Sequence, residues 1–531
     1  YADAGVAETA AERPTAHAAI QWWEWLLVAL ITAGGAWLRW RQIGEQGVWL
    51  DEAFSIWMAR QPLNEMLGWI TRIDQHPPLY YALLRPWLAV GESEGAIRSL
   101  SALLSTATIP VLWLTGRRLF GPAAAVGAAL LLAASPFHLR FAQEMRMYAL
   151  LVFTVSVALL ALVHLLTGAR GRGWWAALAL FTTLTMLSHN TAVLFPVAMN
   201  PAMGGVWLVQ RLRGAPNDAL RLPTLREWLL AQGAILLLWS PWALAFVRQA
   251  RAVDAEFWIQ PPTGQVITAT VLTFFSDWLP GGNEWLWGAI GVALLLGIWG
   301  AWRRVGAATL LLLLACIPFA AELLVSLRRP IFYDRTLIWT TLPLLLLAGA
   351  GLRLLTPAPG LEPGRGLMRA GGVVAVGAVA ALLYGNFLSL ENYYDNYRKE
   401  EWREAAAWAS ERIRPHDLVL FNATWVQIPF DYYFERLGIT TTKHGVPVDL
   451  FDAGILEPKM TEADLPRLLE LIEPHNCVWL VYSHNWYTDP ESILPKTLRR
   501  EMMSRKAQPF NGLEIQLYER RGGGEDCIKR P

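Results

Sequence analysis

The strongest constraint on this 531-residue chain is a succession of apolar runs, each long enough to cross a lipid bilayer. A helix needs about 20 apolar residues for that crossing. By this ruler eleven spans fall near 22–40, 95–115, 121–138, 146–166, 174–189, 190–209, 228–247, 284–301, 306–325, 336–354 and 370–390. Hydrophobic residues make up 54% of the chain and charged ones only 17%, and a mean hydropathy of +0.30 excludes an ordinary soluble protein. The 28 tryptophans suit a membrane–water boundary, where an indole satisfies both its apolar body and its N–H. A formal net charge of +1 without a dense basic face argues against nucleic acid as a partner.

The stretch from Trp174 to Leu208 is too long for one crossing, and Ser188-His189-Asn190 is its polar break. Residues 77–90 are apolar but short and interrupted by Arg85-Pro86, so they are expected to lie along the membrane surface. The first run lacks a small-residue cleavage site, so residues 1–21 are expected to precede a retained signal anchor. An odd number of spans puts the termini on opposite sides. With the amino terminus cytoplasmic, Arg117, Arg118, Arg170, Arg172, Arg211, Arg213, Arg303, Arg304 and Arg365 face the cytoplasm, while Arg39, Arg41, Arg328, Arg329 and Arg335 fall outside. The two sets nearly balance, so the positive-inside rule leaves orientation open. The outer arginines are topological noise or ligands for something anionic.

Beyond Tyr384 the polar density becomes that of a soluble domain, expected over 391–521 with a disordered tail at 522–531. An amphipathic helix opens it, with Trp402, Ala405, Ala406, Ala409 and Ile413 at helical spacing. Strand-like runs at 418–421, 478–482 and 514–518 alternate with helical stretches around 426–437, 461–473 and 490–505, the pattern of a small α/β domain. The fold class is thus an α-helical polytopic membrane protein of about 11 spans carrying a carboxyl-terminal soluble α/β domain. Of three cysteines, Cys316 is expected in the core of a span, and Cys477 and Cys527 can pair if their domain is exported.

Three polar blocks stand where polar residues are costly. Asp51 and Glu52 follow Trp49 at a membrane face, where they could simply cap a helix start or carry acid–base chemistry. Asp74 and His76 precede Pro77-Pro78, which rigidifies the backbone. Asp51, Glu52, Asp74 and His76 could together hold a divalent cation, although no spacing is metal-specific. A second block, Ser135 to Tyr148, contains Arg140, Glu144, Arg146 and Tyr148. Glu144 could pair with Arg140 at helical spacing, while a guanidinium at the mouth of a span is a natural phosphate clamp. A third block offers Arg335 at the start of a span, and His189 sits in the Ser188–Asn190 turn. The outer loop 248–283, with Arg251, Asp254, Glu256 and Phe274-Phe275-Ser276-Asp277-Trp278, is expected to cover the acceptor side.

The ordered set Asp51-Glu52, His76-Pro77-Pro78-Leu79-Tyr80-Tyr81, Gln143-Glu144-Met145-Arg146-Met147-Tyr148, Ser188-His189-Asn190 and Arg335 resembles the polytopic GT-C glycosyltransferases of the protein-mannosyltransferase and aminoarabinose-transferase type. The resemblance covers roughly residues 22–400. It implies a GT-C membrane domain over 22–390, with an active site on the first outer loop, 41–94, and its surface helices. It also implies a cytoplasmic amino terminus and a carboxyl-terminal domain on the extracytoplasmic face of an inner membrane. By similarity Asp51 is the base, Arg146 a lipid-phosphate contact and His76 a phosphate- or metal-contacting residue. The chain departs from the aminoarabinose-transferase pattern, which has Glu-Lys-Pro where Gln75-His76-Pro77 stands. It departs from the protein mannosyltransferases, which follow the two prolines with Leu-Gly-Lys rather than Leu79-Tyr80-Tyr81.

The expected activity is inverting transfer of a sugar from a polyprenyl-phosphate donor to a hydroxyl on a lipid, glycan or protein acceptor, in contact with membrane lipids. Asp51 and Glu52 are the expected catalytic pair, with Glu52 orienting Asp51 or the acceptor. Arg146, Arg335 and His76 are expected to hold the donor phosphate, supported by Asp74, Tyr80, Glu144, Tyr148 and His189. The alternatives are a transporter or flippase, whose ionisable residues would line a path, and an idle accessory subunit of a membrane complex.

Overall fold

The computed structural model describes residues 19–74, 76–169, 171–213, 220–252, 259, 261–356, 364–422, 424–450, 452, 459–522 and 527. Expectations at Gln75, Arg170, Asp254 and Glu256, and for residues 1–18, 523–526 and 528–531, lie outside these.

The first apolar run forms α1 (Trp22–Trp40). The outer loop then folds into three short helices, α2 (Leu50–Arg60), α3 (Leu63–Arg72) and α4 (Leu79–Trp87). Each has 11 residues or fewer, too few to cross a bilayer, and α4 falls on the stretch expected to lie along the membrane surface. Next come α5 (Glu94–Phe120), α6 (Pro122–Ala133), α7 (Pro136–Ala142), α8 (Tyr148–Leu166), α9 (Arg172–Ser188) and α10 (Leu194–Arg213). The bundle closes with α11 (Leu225–Ala252), α12 (Gly264–Phe275), α13 (Glu284–Gly300), α14 (Val305–Ser326), α15 (Thr341–Ala350) and α16 (Arg365–Asn396).

Every expected span falls on helix. Seven helical runs among the described residues are individually long and apolar enough to cross a membrane, and the bent pair α6–α7 makes an eighth. The other three, α1, α9 and α13, fall below that threshold, α9 and α13 at 17 residues each. In the expected outer loop 248–283, α11 runs in as far as Ala252 and α12 occupies the centre. Cys316 is exposed on α14 rather than in the core. Composition could not distinguish these, since lipid receives an apolar side chain as readily as a protein interior does.

The break between α6 and α7 bends the chain by 56°. Ser135 caps α7 and Pro136 takes its first turn, where a missing N–H costs nothing. The carbonyls freed at the end of α6 are met by Arg39. This fully buried side chain donates to Ala133 O at 3.0 Å, Leu132 O at 3.2 Å and Ser105 Oγ at 2.8 Å. One of the supposed outer arginines is thus a helix cap. Small residues bring α13 and α15 into backbone contact: a Cβ on Gly297 would fall on the Leu347 carbonyl, the close approach that membrane helices use in place of hydrophobic drive.

After α16 come α17 (Trp402–Ser410), β1 (Leu418–Phe421), α18 (Gln427–Phe434), β2 (Thr442–Gly445), α19 (Leu465–Ile472), β3 (Cys477–Ser483), α20 (Asn485–Thr488), α21 (Ile493–Glu501), β4 (Met502–Phe510) and β5 (Leu513–Arg520). The sheet order is β2-β1-β3-β5-β4, parallel across β2, β1 and β3 and antiparallel beyond. Three strands match expectation, and two correct it. β2 is too short and polar to read as a strand. The segment expected to be helical through 505 turns into β4 at Met502, because its partner β5 supplies the ladder that local sequence cannot announce. Cys477 and Cys527 are joined by a disulfide.

Candidate active site

Asp51 and Glu52 occupy the first turn of α2, yet only one of them faces the cavity. Glu52 is fully buried. Its Oε1 accepts from Arg98 Nε at 2.9 Å, Lys399 Nζ at 3.0 Å and the Met145 N–H at 3.0 Å, and its Oε2 from Arg98 Nη2 at 2.6 Å. Arg98 also donates to Ile43 O, Gln46 O and Gly47 O, and Lys399 to Gln143 O. Burial pushes the Glu52 carboxyl up, but the two cations outweigh it and hold the group at about 2. This carboxylate ties the start of α2, the 143–146 turn and the segment after α16 into one knot. Glu52 is expected to join Asp51 in the catalytic pair by orienting it or the acceptor; the structure places its carboxylate outside the cavity lining, with its lone pairs taken by Arg98, Lys399 and the Met145 N–H.

Asp51 has the opposite surroundings. Its side chain retains 27% exposure, with Oδ2 lying 3.6 Å from Arg146 Nη2 and 3.9 Å from Arg335 Nη1. Burial raises this carboxyl, while Arg146, Arg335, His76 and His484 together hold it below the ordinary range, so it is a carboxylate at neutral pH. Arg146 reaches it from the turn before α8, and its Nη1 lies 3.4 Å from the Asp51 carbonyl. Arg335 stands on a 3-10 turn, Asp334–Thr340, that leads into α15, with its guanidinium over the rings of Tyr333 and Tyr148.

On the far side of Asp51, His76 Nδ1 lies 2.8 Å from Asp74 Oδ1, and its ring meets that of His189 edge-on at 5.3 Å. The Thr191 N–H donates to His189 Nδ1 at 3.2 Å. Gln249 of α11 fixes this loop, donating to Ile70 O and Asp74 O at 3.0 Å each while accepting from Asn190 Nδ2. Pro77-Pro78 then starts α4 at once. Tyr80, expected in support, is fully buried with its hydroxyl 3.2 Å from Ser101 Oγ and packs the surface helices rather than the cavity. Glu144 is likewise buried beside Arg140, Oε1 to Nε 3.7 Å, and Arg140 also reaches Asp277 at 3.6 Å.

Among the described residues, no three His, Cys, Asp or Glu side chains come together as a metal site. Of the four candidate ligands, Asp74 and His76 pair with each other, Asp51 faces two guanidinium groups, and Glu52 is enclosed. The expected four-ligand set therefore does not fit a divalent cation.

Asp51, Asp74, His76, Arg146, Tyr148, His189 and Arg335 all line one cavity of about 650 Å³. Its opposite wall comes from beyond the membrane bundle, from Trp425, His484, Trp486, Tyr487 and Thr488. These follow the carboxyl ends of β1 and β3, where the strand order reverses and open α/β sheets place their ligands. None was predicted. Lys399 and Glu400 were also missed, in a charged run of ordinary composition. Arg98 carried one usable signal, an arginine close to the start of an apolar span.

The sequence matches the family model for dolichyl-phosphate-mannose-protein mannosyltransferase over residues 75–242, which contain His76, Arg146 and His189 but neither Asp51 nor Arg335. No curated protein matches it. Among solved structures, ArnT from Cupriavidus metallidurans in the apo state superposes with a TM-score of 0.60 at 16% identity, over 93% of this chain and 97% of that one. The same protein bound to undecaprenyl phosphate gives 0.56 at 14% identity, over 94% and 98%. The oligosaccharyltransferase AglB from Archaeoglobus fulgidus, in complex with an inhibitory peptide and a dolichol-phosphate, gives 0.54 at 14% identity, over 95% and 75%. The fold is that of the polytopic GT-C glycosyltransferases, as the sequence resemblance implied.

Proposed function

We propose that this chain transfers a sugar from a polyprenyl-phosphate donor to an acceptor hydroxyl, inverting the anomeric centre, on the extracytoplasmic face of an inner membrane. The observation that carries this reading is the Asp51 carboxyl group within 3.6 and 3.9 Å of two guanidinium groups in one cavity. Asp51 takes the proton of the acceptor hydroxyl as that oxygen bonds to C1 of the sugar. The C1–O bond breaks on the opposite face, and its electron pair leaves with the polyprenyl phosphate. Arg146 and Arg335 hold the charge that gathers on the phosphate. At an effective dielectric near 20, each such cation at about 4 Å is worth about 4 kcal/mol, so moving both toward the phosphate also returns basicity to Asp51 at the moment it is needed.

The undecaprenyl phosphate and dolichol-phosphate in the two neighbouring structures support a long polyprenyl phosphate as the donor lipid. The Cys477–Cys527 disulfide supports placing the carboxyl-terminal domain in an oxidising compartment. The test uses purified full-length protein in lipid nanodiscs, a panel of polyprenyl-phosphate sugars, and measurement of released polyprenyl phosphate. Wild type is expected to release it with at least one donor and acceptor, and Asp51→Asn to lower the rate by roughly 10²- to 10⁴-fold. No release with any combination, or equal release by Asp51→Asn, sinks the reading and returns the transporter and the idle subunit.

A further inference from the structure

Beyond the bundle, one half-buried carboxylate is bonded to the helix that carries Asp51. Glu400 Oε2 accepts the Leu50 N–H at 3.1 Å and the Trp402 indole N–H at 2.6 Å. Leu50 opens α2, and the first N–H groups of a helix have no partner within it. A carboxylate at that place is favoured by the helix dipole as well as by the hydrogen bond. The Trp49 N–H lies 3.4 Å from Glu52 Oε2. The first two N–H donors at this helix start are thus met by Glu52 and Glu400. Asp51 is thereby relieved of the capping role its position would otherwise give it, and its carboxylate is left to face Arg146 and Arg335.

Glu400 is itself held from the carboxyl-terminal domain. Its Oε1 lies 3.3 Å from His484 Nε2. The Ser483 hydroxyl spends its hydrogen on Gly512 O at 2.7 Å, so its oxygen accepts from His484 Nδ1–H at 2.9 Å. With Nδ1–H used in this way, the 3.3 Å contact between Nε2 and Glu400 Oε1 is a hydrogen bond when a further proton lies between them, on an imidazolium Nε2–H or on the Glu400 carboxyl. His484 takes this pose from a left-handed backbone, φ 52°, directly after β3. A non-glycine residue in that region is uncommon and is held there by its surroundings. His484 also lines the cavity, on the wall across from the bundle. A continuous chain of contacts therefore runs from the end of β3, through His484 and Glu400, to the backbone at Leu50.

We propose that Glu400 and His484 are a positioning pair for the transfer reaction, in which the carboxyl-terminal domain pins the start of α2 and so aims Asp51 into the cavity. Glu400 acts through the Leu50 backbone, and His484 acts through Glu400 in addition to lining the cavity near Asp51. The proposal rests on the glycosyl-transfer reading for its catalytic consequence, while its structural core can be measured without turnover. It makes the soluble domain part of the catalytic apparatus, since neither residue belongs to the membrane bundle.

Amide hydrogen exchange over residues 49–54 of the full-length protein in nanodiscs reads the pin directly. Glu400→Ala is expected to speed exchange at Leu50 by at least tenfold, while Glu400→Gln, whose amide oxygen still accepts both N–H donors, stays within threefold of wild type. His484→Asn is expected to fall between them. With a donor that wild type turns over, Glu400→Ala should lower kcat by tenfold or more while the affinity for undecaprenyl phosphate stays unchanged, and Glu400→Gln should restore most of the rate. Unchanged exchange in Glu400→Ala, or equal loss of kcat in Ala and Gln, overturns the proposal. Should Glu400→Ala fail to fold, the near-isosteric Glu400→Gln and His484→Asn carry the test: His484→Asn must speed exchange at Leu50, and wild-type exchange in it counts against the pair. If wild type turns over no donor yet exchange responds as expected, the glycosyl-transfer reading fails and the pin stands.

Discussion

The cage around Glu52 and the cavity around Asp51 begin at adjacent residues of one helix turn and are built for different purposes. In the cage, one carboxylate meets Arg98, Lys399 and a backbone N–H at 2.6–3.0 Å, with no exposure. In the cavity, the other carboxylate stands 3.6 and 3.9 Å from two guanidinium groups and keeps part of its surface open. Short, saturated contacts hold a fold together, because each lost partner strands a buried charge. Longer, shared contacts leave cations that can turn to another anion. The difference teaches that neighbouring acids are told apart by the saturation of their surroundings, not by their residue type.

The largest expected effect that would break this comparison is on activity. Asp51→Asn should lose roughly 10²- to 10⁴-fold in turnover while costing less Tm than Glu52→Ala, since its ion contacts are longer and its carboxylate is partly exposed. Glu52→Ala should do the reverse first, losing about 3–5 kcal/mol of stability because Arg98 and Lys399 are left buried without their partner, read as a lowered Tm of the solubilised protein. A Glu52 variant that keeps its Tm and loses turnover would move Glu52 into the catalytic machinery and erase the distinction.

Next in size is the pH dependence of the cage. Glu52 is held down at about 2 against an ordinary value of 4.5, so the unfolded chain takes up the proton first. Its contribution, roughly 3 kcal/mol, is fully present above about pH 4.5 and is lost as pH falls toward 2. Wild type should therefore lose Tm across that window more steeply than Glu52→Gln. The smallest expected effect sharpens the cavity side. Arg335→Gln removes one charged donor worth about 1.5–3 kcal/mol and should weaken undecaprenyl phosphate binding by roughly 10- to 100-fold without lowering Tm. An unchanged affinity would take Arg335 out of the phosphate site.

Much of the cavity was legible because its residues break an apolar background. Asp51, His76, Arg146, His189 and Arg335 each interrupt or border a run that would otherwise be lipid-compatible, so their cost announced them. Tyr80 and Glu144 stood in the same blocks, but Tyr80 turns into helix packing and Glu144 toward Arg140, since a motif fixes which residues are near a site and not which way each side chain points. Arg39 was legible as a charge and illegible as a cap, because the carbonyls it meets are freed only by the bend between α6 and α7. Lys399, Glu400 and His484 gave no signal at all. They sit in a domain where charged residues are ordinary, and their importance lies in partners some 350 residues away, such as Glu52 for Lys399 and Leu50 for Glu400.

The sequence by itself determined that this chain lives in a bilayer, where its apolar helices fall, and which polar residues interrupt them. Hydrophobic length and the cost of buried charge are local properties, readable one window at a time. Only the tertiary structure decided that Asp51 opens onto the cavity while Glu52 closes a knot, and that a soluble domain supplies the opposite wall. Those outcomes depend on which donors reach a helix start first, and donors brought from distant segments have no local pattern to betray them.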